Sequence, residues 1–171
     1  MKKPTLITAI IILTAICAVL AYTIISQNSV KEINPTEITT ENAKHTVKSF
    51  FEEGYEKHNY DFIMNCVSPD YIDHSPAQAR SNADAVDILK IVRDQFPDLK
   101  ITILDIFAEN DMVATRILFE GTHSGACQGI EATGKRICFE ALENFKVIDG
   151  KIVESWGYWL DDEIRRQLTG N

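Results

Sequence analysis

Apolar residues change their spacing three times along this chain. From Leu6 to Ile25 they are nearly continuous, 20 residues without a charge. Over residues 41–58 they recur at intervals of three and four. Val47, Phe50, Phe51 and Tyr55 share one face and Lys44, Lys48, Glu52 and Glu56 lie on others, which predicts an amphipathic helix capped by Thr39 or Thr40. A short helix over 60–66 is expected before Ser68-Pro69-Asp70, then an extended piece over 71–74 stopped by Ser75-Pro76. A second long helix is expected over 83–95, with Ala85, Leu89, Val92 and Phe96 on one face and Pro97 ending it. Beyond Pro97 the period falls to two. Strands are predicted over 101–107, 112–122, 136–147 and 151–160, and Asp149-Gly150 is a strong hairpin turn between the last two. Helices followed by consecutive hairpins give an α+β domain with its helices packed on one face of an antiparallel sheet.

The front of the chain reads differently. Twenty apolar residues rising 1.5 Å each cross a hydrocarbon layer about 30 Å thick. Lys2 and Lys3 precede them, which leaves the N-terminus in the cytoplasm. Residues 1–26 are therefore expected to form a signal anchor, a transmembrane helix touching the membrane through residues 6–25. Residues 27–40 are a polar tether with a turn at Asn34-Pro35, and residues 41–171 form a domain held outside the cytoplasm, periplasmic or extracellular. A cleaved signal peptide stays open, since Val19-Leu20-Ala21 is a tolerable site, although apolar sequence runs on to Ile25. Cys17 follows Ile16 rather than the small residue usual before a lipid-modified cysteine, and a buried core helix is the remaining alternative.

Composition narrows the function classes. The 171 residues suit one domain, and 45% apolar with 25% charged residues is globular composition. The net charge is −8, and −10 once Lys2 and Lys3 are set aside, which argues against nucleic acid as a partner. Four cysteines are too few for a disulfide-built miniprotein. Cys127 and Cys138 flank the turn before the third strand, so a disulfide between them and two separate small apolar residues both stay open; Cys66 is left over either way.

A sequence of short words runs through the second half: Phe96-Pro97-Asp98-Leu99, Gly121-Thr122-His123-Ser124-Gly125, Gly129-Ile130, Thr133-Gly134-Lys135, and Asp149-Gly150-Lys151-Ile152-Val153-Glu154-Ser155-Trp156, with Tyr71-Ile72-Asp73-His74-Ser75-Pro76 upstream. In this order they resemble the SnoaL-like polyketide cyclase or ester cyclase family of the nuclear transport factor 2-like superfamily, over about residues 41–168. The resemblance implies a cone-shaped fold, a curved antiparallel sheet wrapped around the N-terminal helices with an open-ended pocket, often paired as a homodimer through the sheet. It also implies ring closure by an aldol step with no cofactor, an acidic residue serving as general acid/base.

In that family an Asp typically stands four residues after the Trp of the last word; here the position is Leu160, next to Asp161 and Asp162. Strand parity groups Ile152, Glu154, Trp156, Tyr158 and Leu160 on one face and Val153, Ser155, Gly157, Trp159 and Asp161 on the other, so a β-bulge would be needed to turn Asp161 inward. The alternative is that Asp161 and Asp162 simply open a C-terminal helix. His74 and Asp161 are the candidate catalytic pair, since an imidazole and a carboxylate can move protons near neutral pH. His123, Arg116, Trp156, Tyr158 and Leu160 are the candidate pocket residues, with Arg116 also able to pair with Glu140 across the sheet. Asp70, Asp73 and His74 form only a loose cluster, and neither a metal nor a cofactor is expected.

Three functions follow. The leading one is a membrane-tethered domain that binds a small, partly apolar or carbonyl-containing molecule without full cyclase activity. The others are a cofactor-free cyclase or isomerase using His74 and Asp161, and a structural dimerisation domain.

Overall fold

A computed structural model describes Val19, Leu20 and residues 35–170 of the chain. Residues from Thr36 onward form one compact unit. The expected anchor and most of the tether lie outside the described residues; among the described residues no helix is long and apolar enough to cross a membrane.

The order of elements is α1 (Pro35–Phe50), a π-helical turn (Phe51–Glu56), α2 (Tyr60–Cys66), β1 (Val67–Asp73), α3 (Asn82–Gln95), β2 (Lys100–Glu109), β3 (Met112–Thr122), β4 (Arg136–Ile148), β5 (Lys151–Tyr158) and α4 (Asp161–Thr169). The first helix starts at Pro35 rather than residue 41, because proline is well suited to a first helical turn, where its missing N–H is not needed. Asn59 caps α2 by accepting from the Phe62 N–H, and Ser81 caps α3 by accepting from the Asp84 N–H.

The sheet runs β1-β5-β4-β3-β2. Its last four strands in sequence are antiparallel neighbours, as the alternation predicts, while β1 adds to the edge parallel to β5. The all-antiparallel expectation is corrected there. Pro69 does not end β1 because the strand is an edge strand whose register shifts between Val67 and Ile72, the setting that tolerates proline. A second irregularity sets Ile152 against Val147 and Glu154 against Lys146, leaving Val153 as an extra residue. Asp149 and Gly150 both take positive φ, 50° and 75°, as a two-residue hairpin turn demands.

Inward residues of β3 and β4 alternate with outward ones and meet the aromatic stripe of the first helix. Phe51 packs edge-on against Phe145 at 5.6 Å and Phe50, Phe51 and Tyr55 form one ring cluster. The π-helical turn keeps Phe51 and Tyr55 stacked 5.9 Å apart on the sheet side. Cys66, Cys127 and Cys138 are all free. Cys127 is tied to Ile130 in its own tight turn and Cys138 pairs with Glu120 on β3, so the two never face each other.

Phe51 is 1% exposed, so Phe51→Ala leaves a cavity in the centre of the domain. It is expected to cost about 3–5 kcal/mol, read as a lowered urea midpoint with an unchanged slope.

Candidate functional site

The inward row of β4 is Ile137, Phe139, Ala141, Glu143, Phe145 and Val147, five apolar residues and one acid. Glu143 is 7% exposed. Its Oε1 accepts a hydrogen bond of 2.7 Å from the indole N–H of Trp159, whose ring is itself fixed 4.8 Å from Phe119 and 5.4 Å from Phe139. Its other carboxyl oxygen has no hydrogen-bond partner among the described residues. Burial pushes the Glu143 carboxyl up to about 7; the Trp159 N–H pulls it down and the nearby charge of Asp73 pushes it up again.

Beside it, β1 and β5 supply a polar chain. The Tyr71 hydroxyl lies 2.5 Å from Ser155 Oγ, and Ser155 Oγ donates to Asp73 Oδ1 at 3.4 Å. Asp73 also accepts from the Ser75 N–H and the Ser75 hydroxyl, both at 2.7 Å. Arg80 secures this loop from behind by donating to the Asp73 carbonyl at 2.6 Å. Across the space stands Tyr55, whose hydroxyl titration is pushed well up, by burial first and then by the charge of Glu143. That hydroxyl makes no hydrogen bond to a described residue.

These groups border one cavity of about 470 Å³. Phe50, Leu89, Val92 and Phe145 give it an apolar side. Asp73, Glu143 and Asp161 give it three carboxyls, and no Lys or Arg is among its described lining residues. Its chemistry is that of a mostly dry pocket with one proton acceptor poised near neutrality and unused hydroxyl and carboxyl oxygens facing in. No group of three His, Cys, Asp or Glu among the described residues is arranged to hold a metal.

The structure separates the residues expected from the sequence. His74, Tyr158 and Asp161 border the cavity. The His74 imidazole, however, stacks flat on Trp156 at 4.8 Å, and its Nε2 bonds Glu154 at 2.9 Å. Glu154 and Trp156 point away from the face that carries Ser155 and Gly157. The bond to His74 holds the Glu154 carboxyl below its usual range. Asp161 opens α4 and accepts from Gln128 Nε2 at 3.1 Å.

Trp156, Leu160, His123 and Arg116 are not among the residues lining this cavity. Arg116 is held on the outer face by Asp105 at 2.7 Å and Glu140 at 3.0 Å. His123 is 0% exposed, and its Nδ1 accepts from the Thr133 N–H at 3.2 Å, tying the loop before β4 to the sheet. Leu160 is 54% exposed at the start of α4.

The groups that parity analysis missed are Glu143, Tyr55, Tyr71, Asp73, Ser155 and Gly157. Glu143 carried a signal: it is an acid at an inward position of an otherwise apolar strand. Ser155 and Gly157 turn inward with Ile152 because Val153 is the extra residue of the bulge, a phase change that a strict alternation does not contain.

A family description, SnoaL-like polyketide cyclase, matches residues 45–168. Among solved structures, AclR from Streptomyces galilaeus, a candidate hydroxylase, is 28% identical with a TM-score of 0.68, over 77% of this chain and 98% of that one. IdmH from Streptomyces antibioticus, a candidate polyketide cyclase, is 26% identical with a TM-score of 0.67, over 74% of this chain and 98% of that one. A candidate SnoaL-like cyclase from Jannaschia sp. CCS1 shares the fold at 16% identity, TM-score 0.73, over 83% and 99% of the two chains. No curated protein matches.

The Glu143 carboxyl binds its proton at about 7 when folded against an ordinary 4.5, so the folded state holds the proton more tightly. Stability falls as pH rises from about 4.5 to about 7, by an amount on the order of 3 kcal/mol. Glu143→Gln keeps an acceptor for Trp159 and removes the charge. It is expected to flatten that slope and to melt higher than wild type at pH 8, measured by thermal unfolding across the pH range.

Proposed function

This chain belongs to the SnoaL-like polyketide cyclase family, and from that premise we propose that it is an acid/base catalyst acting at the carbon next to a carbonyl in a small, largely apolar compound. The observation that carries the proposal is Glu143, a carboxyl titrating at about 7 on the wall of an apolar cavity with one oxygen unused. A base near neutrality is ionised often enough to take a proton and protonated often enough to return it.

In this reading the Glu143 carboxylate removes a proton from the α-carbon. The carbonyl oxygen gathers the resulting charge and is met by the Tyr55 hydroxyl, a donor already desolvated and without a partner among the described residues. The enolate then attacks a second carbonyl of the same molecule, as in an aldol closure, and the new alkoxide takes the proton back from Glu143; where the first carbonyl is conjugated with a double bond, the dienolate instead takes that proton at its γ-carbon, as in an isomerisation. Asp73 does not touch the reacting atoms; its charge, held by Ser75 and Ser155, keeps the Glu143 proton from leaving too easily. Three carboxyls without a lining Lys or Arg suit an uncharged substrate rather than a carboxylate. His74 and Asp161 sit at the edge of this scheme, one engaged by Glu154 and the other by Gln128.

A second reading, a receptor that binds without turnover, is favoured by Leu160, which stands where the family typically carries its acid and is exposed. The proposal also includes export, on the strength of the uncharged run from Leu6 to Ile25 behind Lys2 and Lys3.

The test is proton exchange in D₂O, followed by NMR on uncharged aryl ketones such as 2-tetralone. Wild type is expected to accelerate α-deuteration, with Glu143→Gln slower by about 10²-fold or more and Tyr55→Phe by a smaller factor. Saturable binding of the ketones with exchange no faster than in buffer would establish the receptor reading instead.

A further inference from the structure

We infer that Gly157 is the specificity-determining position of this cavity: the side chain it lacks is the opening through which a planar carbonyl compound reaches the Glu143 carboxyl. The inference rests on the reading that Glu143 acts on the ligand, and deepens it.

Gly157 lies within β5, directly across the ladder from Glu143, and both border the cavity. Glycine inside a strand weakens it, so its presence calls for a reason. The backbone supplies none. Gly157 is not among the glycines with positive φ. The three heavy atoms nearest a Cβ built at Gly157 all belong to Glu143: its Cδ, Cγ and Oε1, each at 3.6 Å, which is ordinary contact. Compare Gly125, where the added atom would fall 2.3 Å from the Asp94 carbonyl oxygen, and Gly54, where it would fall 2.9 Å from Ile63. Gly125 is required by the backbone beside it and Gly54 is crowded by side-chain ends; Gly157 is neither.

What a side chain at 157 would do is stand beside the Glu143 carboxyl on the wall both residues give the cavity. Trp159 already occupies Oε1, so the remaining oxygen is the one a ligand can use. Ser155, the preceding inward residue of β5, is spoken for by Tyr71 and Asp73. The strip of bare backbone at Gly157 is thus a flat floor beside the base, on which a planar ring or carbonyl can lie while Phe50, Leu89 and Phe145 enclose its apolar body. A branched or puckered compound meets the same floor with less contact.

The experiment uses Gly157→Ala and Gly157→Val in the full chain, with 2-tetralone and acetone as probes and Glu143→Gln alongside. Gly157→Ala is expected to melt no lower than wild type, because its Cβ displaces nothing. It is expected to weaken 2-tetralone binding about tenfold, and Gly157→Val to weaken it further, as one or two methyl groups do in a tight pocket. Acetone, which needs little floor, is expected to lose less. The Glu143 titration, read by carboxyl NMR, should move up in Gly157→Ala as the added methyl excludes water, a shift that a merely structural role would not produce. Should Gly157→Val fail to fold, Gly157→Ala decides alone. If Glu143→Gln abolishes exchange and the folded Gly157 variants bind 2-tetralone as wild type does, the inference about Gly157 is overturned and the reading of Glu143 stands. If Glu143→Gln leaves exchange untouched, that reading falls and takes the inference with it.

Discussion

One hydrogen bond, from the Trp159 indole to Glu143, sets the character of the whole interior. An acid placed on the inner face of a β-sheet loses its water and resists ionisation. Burial raises the Glu143 carboxyl, the indole N–H draws it down and the charge of Asp73 raises it again, and the balance stands at about 7. The indole can do this because it is immobile, fixed by Phe119 and Phe139, and because the extra residue Val153 turns it inward.

The hollow beside Glu143 follows from residue size. Past Ile152 the inward positions of β5 are Ser155 and Gly157, and neither can fill the distance to Leu89 and Val92 of α3. Elsewhere the same sheet is filled by Phe119, Ile117, Phe139 and Ile137. The domain therefore spends its large side chains at one end and withholds them at the other. A buried carboxyl, an unused tyrosine hydroxyl and a strand glycine each lower stability, and all three converge on one wall. Such local departures from good packing are what a functional site looks like in energetic terms.

Much of this was legible in the sequence, and the reasons are specific. Val47, Phe50, Phe51 and Tyr55 are all buried because helical spacing leaves one face to bury, and Ala85, Leu89, Val92 and Phe96 follow the same rule. The four hairpin strands are where alternation puts them, and Asp149-Gly150 turns as that pair should. What escaped was non-local. The parallel docking of β1 depends on a partner more than 80 residues away in sequence, paired as Asp73 with Ser155. The bulge at Val153 leaves no mark on composition, yet it decides which half of β5 faces the cavity. His123 and Arg116 look like site residues because they are polar and lie within or at the end of a strand, but Thr133 engages the Nδ1 of one, and Asp105 and Glu140 hold the other. Glu143 could have been found by the parity test applied to the strand before the last.

The departure at Leu160 then has a physical reading. A general base near neutral pH needs desolvation, and the end of β5 does not provide it: Leu160 is exposed, and so is Asp161 beside it, which opens α4. The middle of β4 does provide desolvation, flanked by Ala141 and Phe145 and covered by Trp159. Chemistry of this kind is tied to a point in the cavity and not to a position in a motif. This chain carries leucine in the motif, and its buried carboxyl stands on the neighbouring strand, where burial tunes it.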